Sequence, residues 1–285
     1  MTSAATFRAP RRFDPWKAAT LAILVILAVA FLAPTIGVLL SSLKSTRDIS
    51  LGNLWTLPDQ LFLDNYVEVL TNPAVHTYLL NTLLVSVPAT IGSIGLGILA
   101  GYVFAKLPFR GSNLLFLVLV SGMFFPPQVI LIPLFRLFNT LGLIDTLWPV
   151  IIVHIGLGIP ICTLLMRNFF ATVPNALREA AILEGASEWQ VLTKVALPVS
   201  LPALAVLVTL QFTWIWNDFL WPLIFTQSDN KRTIMLGLVS LKGQYSVAWG
   251  VQGALSLIAT LPTLIVFLFF QRYFIKGMTM GAVKG

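Results

Sequence analysis

An all-α membrane protein with six transmembrane helices is the architecture this sequence predicts, and three observations predict it. Of its 285 residues, 57% are hydrophobic and only 10% are charged, against about 25% charged in an average soluble protein. Six stretches are each apolar over roughly 20 residues, the length a helix needs to cross a hydrocarbon core of about 30 Å. The two longest polar connections are one outer segment (41–77) and one inner loop (167–198).

The stretches are 18–40, 78–105, 113–133, 147–166, 199–223 and 248–271. Each must be helical, because backbone donors and acceptors in lipid have to find partners within the segment. The first follows Arg8, Arg11, Arg12 and Lys17 as a signal peptide would. It is longer than the roughly 7–15 apolar residues of such peptides and lacks a small-residue cleavage site, so it reads as a retained anchor. Six spans then place both chain ends on one side. Twelve of the 18 basic residues fall on that side, Lys106, Arg110, Arg167, Arg178 and Lys194 among them, and six fall on the other, including Lys231, Arg232 and Lys242. The bias orients both termini and the 167–198 loop to the cytoplasm. Prolines inside the runs, such as Pro88, Pro126, Pro127, Pro160 and Pro202, are expected to kink helices.

Composition also limits function. The net charge is +7, but the basic residues form no continuous stripe for a phosphate backbone, so nucleic acid is not an expected partner. Cys162 is the only cysteine, which excludes an intrachain disulfide and suits core packing. His76 and His154 are isolated and read as structural or solvated, with no metal site. The chain contains no G-x-x-x-x-G-K-[ST] sequence and no soluble stretch large enough for a nucleotide-binding domain, so it is not expected to be an enzyme or to bind a cofactor.

The 167–198 loop carries the clearest local pattern. Pro174 and Asn175 open a helix through Leu177 to Glu184, because proline is pre-organised for a first turn and good helix formers follow. Gly185 stops it. Ser187 with Gln190 has the form of a capping box, starting a second helix that runs to Ala196 before Leu197-Pro198. Ala180 and Ala181 permit close approach, and Leu177, Ile182 and Leu183 offer apolar anchors. Local chemistry leaves open both a docking helix and an amphipathic helix on the membrane surface.

The spacing Glu179-Ala180-Ala181, three residues, Gly185, nine residues, Val195, one residue, Leu197-Pro198 resembles the EAA signature of bacterial ABC importer permeases. It lies between the fourth and fifth expected spans, as in that family. The resemblance implies a type I ABC importer permease fold, with a coupling helix seated in a cleft of a separate ATPase. Glu179, Ala180, Ala181 and Gly185 then take the ATPase-coupling role. Glu184 stands where many relatives have aspartate, with little consequence expected.

The run from Phe212 to Pro222 places Asn217 and Asp218 among Trp214, Trp216 and Trp221, and Asp218 is the only acid in any assigned span. A charge at mid-membrane costs about 2.5–3.5 kcal/mol on insertion scales, so Asp218 should face a cavity or a partner. Hydroxyl partners and aromatic faces suit sugar binding. An interfacial Trp belt with an interhelical polar clamp fits equally well. The Trp-Asn-acid-Phe segment resembles carbohydrate permeases, and Gly281 to Gly285 resembles the tail of the maltose-type class.

Together the resemblances imply the permease subunit of an ATP-driven importer, forming half of a path for a di- or oligosaccharide. Its implied partners are a second permease, two ATPase subunits that use the ATP, an extracytoplasmic solute-binding protein and membrane lipid. The expected regions are 1–77 with the first span and outer segment, 78–275 as a five-helix core, and 276–285 as a cytoplasmic tail. A glycerol-phosphate permease of the same architecture, an ion-coupled carrier using Asp218, and a non-transporting scaffold remain alternatives.

Overall fold

The computed structural model describes residues 15–50, 52, 54–240 and 248–282. Arg8, Arg11, Arg12, Lys242 and the last three residues of the tail lie outside them. Twelve helices organise the described chain: α1 (Pro15–Ser42), α2 (Asp64–Thr71), α3 (Pro73–Lys106), α4 (Ser112–Phe124), α5 (Pro127–Thr140), α6 (Trp148–Thr172), α7 (Asn175–Leu183), α8 (Glu188–Val199), α9 (Leu201–Trp216), α10 (Leu220–Phe225), α11 (Ile234–Ser240) and α12 (Trp249–Ala282). One further five-residue turn of helix, Thr46–Ser50, precedes α2.

Of these, α1, α3, α6 and α12 are each long and apolar enough to cross a membrane alone. The other two expected spans are bent pairs. The stretch 113–133 breaks between α4 and α5 with a 93° bend. Phe125 and Pro126 are extended there (ψ 131° and 125°), because each precedes a proline, whose ring disfavours helical geometry in the residue before it. The stretch 199–223 is also discontinuous. α9 meets α8 at an 80° bend, and it ends at Trp216, so Asp218 sits in a break before α10 rather than inside a continuous span. Pro202 falls in the first turn of α9 and Pro149 in that of α6, where the missing N–H costs nothing; both start helices instead of kinking them. Pro88 and Pro160 do lie inside α3 and α6.

The parallel pair α3 and α6 makes the most extensive contact in the fold. Small residues permit it: a Cβ on Gly97 would stand 2.3 Å from Cys162 Cβ, and one on Gly158 would stand 2.6 Å from Ser93 Cβ. Close backbone approach of this kind replaces the hydrophobic drive that lipid removes. Cys162 is completely buried at this contact, as its apolar setting predicts. Three apolar clusters lie in the bundle. By contrast, only 6% of the most apolar window of α1 is buried, an exposure that suits lipid or a partner helix.

At the end of the bundle opposite α7, the chain after α10 folds onto two anchors. Asp145 accepts the backbone N–H groups of Gln227 and Ser228, each at 2.8 Å. On α3, the Tyr78 hydroxyl donates to Asp229 (2.8 Å), Asn81 donates to the carbonyls of Asn230 and Arg232, and Thr82 accepts the Ile234 N–H.

Candidate functional site

α7 is nine residues long and none of them is buried. Pro174 stands just before it in extended geometry (ψ 133°), one place earlier than the first-turn position expected, and Asn175 begins the helix. The stop at Gly185 is as anticipated: its φ is +88°, a left-handed conformation that costs other residues about 1–2 kcal/mol. The Gly185 N–H donates to Ile182 O and the Ala186 N–H to Ala181 O (both 2.9 Å). This is the Schellman arrangement, which satisfies the last carbonyls of a helix. Ser187 and Gln190 then form the expected capping box. α8 outruns its expected end at Ala196 because a π-helical turn over Val191–Ala196 leads into Leu197–Val199.

The four signature residues do not share one surface. Glu179 and Ala180 are exposed, as is Gly185 at the turn, and Leu183 beside them is 88% exposed. Ala181 faces inward, packing against the apolar cluster that includes Phe170, Val191 and Leu192. Leu177 and Ile182 remain exposed. The helix thus shows solvent an acid and apolar side chains while one alanine seats it on its own chain.

A polar network seats it further. Arg178 donates through Nε and Nη2 to both oxygens of Glu188, and the Tyr102 hydroxyl on α3 donates to Glu188 Oε2 at 2.8 Å. One turn along α3, Lys106 Nζ donates to Val173 O (2.5 Å) and Asn175 Oδ1 (2.7 Å). The hydrogen-bonded Arg178 guanidinium holds the Glu188 carboxyl below the usual carboxylate range, and Glu188 in turn raises the basicity of Arg178. Tyr102, Lys106 and Glu188 carry no signal in local sequence, since their partners lie up to 86 residues away.

At the break after α9 the five expected path residues divide. Trp216 is fully buried, stacked on Phe212, and donates Nε1–H to Ala259 O at 2.8 Å. Trp221 is buried and stacked on Phe225. Asp218 Oδ1 accepts the Leu220 N–H (3.1 Å), while Oδ2 accepts from Trp221 N–H (3.2 Å) and from His154 Nε2 (3.1 Å). Both carboxylate oxygens are therefore engaged inside the chain. His154, read from sequence as structural or solvated, is 4% exposed and is the partner that an intramembrane acid requires. Trp214 is 64% exposed and Asn217 is exposed, with its amide donating to Thr213 O. Trp214, His154, Leu157, Gly158 and Gln211 line a cavity of about 20 Å³, room for one water and too small for a sugar ring.

An all-α bundle with four to six candidate membrane-crossing elements is that of a multi-pass membrane protein, and a short exposed helix ending at a left-handed glycine stands at one end of it. The family comparison agrees. Residues 93–280 match the model of the binding-protein-dependent transport system inner membrane component, and the chain belongs to that family. It is thus an ABC importer permease of the inner membrane, a non-catalytic subunit. Two curated relatives span nearly its whole length. The osmoprotective compounds uptake permease protein of Synechocystis is 34% identical over 96% of this chain and 95% of its own. The arabinooligosaccharides transport system permease protein of Halalkalibacterium halodurans is 32% identical over 90% and 93%. Among solved structures, a bacterial ABC transporter that imports the acidic polysaccharide alginate matches with a TM-score of 0.80 at 25% identity, covering 94% of this chain and 100% of that one.

Proposed function

We propose that this permease carries a di- or oligosaccharide, forming half of the translocation path beside a second permease. Two cytoplasmic ATPase subunits drive it and an extracytoplasmic binding protein delivers the solute. The observation that carries the reading is α7: an exposed helix bearing Glu179 and Ala180, closed by Gly185 at φ +88°, fits a groove in a partner. In this reading both termini and α7 are cytoplasmic, 78–275 is the moving core with the coupling loop at 167–198, and 276–285 runs toward the ATPase. Closure of the ATPase pair displaces α7 and tilts the helices between inward-facing and outward-facing states.

The saccharide assignment draws on the names of relatives that take up arabinooligosaccharides and alginate. It also draws on the exposed Trp214 and Asn217, an aromatic face beside an amide. Trp216, Trp221 and Asp218 then shape the path from behind, Asp218 by holding the start of α10 through Leu220 N–H and Trp221 N–H. The test is uptake into proteoliposomes holding the full complex and binding protein. Saturable, ATP-dependent entry of a labelled di- or oligosaccharide supports the proposal. Entry of glycerol phosphate alone, or transport by this chain on an ion gradient without ATPase, overturns it.

A further inference from the structure

α7 is shorter than the roughly 12–15 residues at which isolated helices begin to hold their own shape, and it buries no residue. Its covalent joints are both turns: Val173-Pro174 after α6, and Gly185 with Ala186 before α8. A push delivered to such a helix would be absorbed by those joints unless something else held it. The holding groups come from α3, which is remote in sequence. Tyr102 and Lys106 are four residues apart, on one face of the last turns of α3. Tyr102 is 3% exposed and stands edge-on to Phe170, with ring centroids 5.6 Å apart. Its hydroxyl grips Glu188, which grips Arg178 of α7, while Lys106 grips Val173 O and Asn175 at the opposite end of α7's first turn.

α3 also reaches from one end of the bundle to the other. Its 34 residues span about 51 Å at 1.5 Å per residue, and its other end holds the chain after α10 through Tyr78, Asn81 and Thr82. Resting on the permease reading above, we infer that Glu188, Tyr102 and Lys106 are positioning residues. They lock α7 to α3, so that displacement of the coupling helix passes directly into α3 and along it to the opposite end of the bundle. The joints at Pro174 and Gly185 do not carry this motion; they allow α7 to follow α3 as one body.

Spin labels at Leu99→Cys on α3 and Glu184→Cys after α7 measure this in the full complex, and the buried Cys162 stays unlabelled. The distance distribution should be narrow, and the same without nucleotide as with Mg-ATP trapped by vanadate. Glu188→Ala should add a second, longer population, raising the undocked fraction about tenfold, the scale set by hydrogen bonds to a charged group, while ATP hydrolysis continues. Glu188→Gln keeps an acceptor for Tyr102 and should broaden the distribution less; it decides the matter if Glu188→Ala fails to fold. An unchanged distribution in Glu188→Gln combined with Tyr102→Phe, or a parent distance that itself shifts with nucleotide, overturns the inference. Failure of the permease reading has a different mark: no ATPase co-purifies and no nucleotide effect is seen on any label.

Discussion

Gly185 and Asp218 show how single residues set local geometry here, and each makes a measurable claim. Gly185→Val forces a branched side chain into φ +88° and should cost the α7 turn about 1–2 kcal/mol; co-purified ATPase should fall while expression in the membrane holds. Asp218→Ala leaves two N–H groups and His154 without their acceptor. Lost bonds to a carboxylate are worth about 1.5–3 kcal/mol, so the melting temperature in detergent should drop. His154→Ala combined with Asp218→Ala should destabilise less than the sum of the two, because they share one bond. Glu188 adds a pH signature. Its carboxyl is held below the ordinary range by Arg178, so its contribution is complete above about pH 4.3, the ordinary glutamate value, and is lost only as pH falls through the lower folded value. Spin-label widths across α3 and α7 should therefore stay constant from neutral pH down to about that point and widen only below it. Widening at mildly acidic pH would contradict this.

At the scale of elements, the structure rests on α3 against α6, and the contact is set by side-chain size. Gly97→Ala would push a methyl to 2.3 Å from Cys162 Cβ, and overpacking of this kind costs about 1–3 kcal/mol. Trimming Cys162 to glycine would not relieve the clash, because the Cys162 backbone carbonyl carbon stands 2.9 Å from the same methyl; an unchanged melting temperature in Gly97→Ala would mean the two helices do not meet there. Hydropathy made the spans legible because lipid forces apolar runs into helices, and α1, α3, α6 and α12 lie close to where the runs predict. Hydropathy hid the first break, since Phe125 and Pro126 lie within an apolar run, whereas the break after α9 falls at Asn217 and Asp218, whose polarity was its signal. Pro126-Pro127 was the available clue: adjacent prolines hold the residues before them out of the helix. Gly185 and the Ser187–Gln190 capping box were readable because a helix stop and start are local chemistry. His154 with Asp218, and Tyr102 with Glu188, were not, because 64 and 86 residues separate them and only the fold brings them together.

For the whole molecule, the proposed function joins an exposed helix at one end of the bundle, a long helix that reaches the other end, and a proposed saccharide path beside Trp214 and Asn217. All of this depends on α7 meeting a cytoplasmic ATPase. Leu183, 88% exposed on that helix, is the place to test it. A photo-reactive amino acid at Leu183, activated in intact membranes, should form its principal adduct with the ATPase subunit, with a yield that changes when Mg-ATP is added. Adducts with lipid alone, or labelling of the same position by a membrane-impermeant reagent applied outside the cell, would contradict the account.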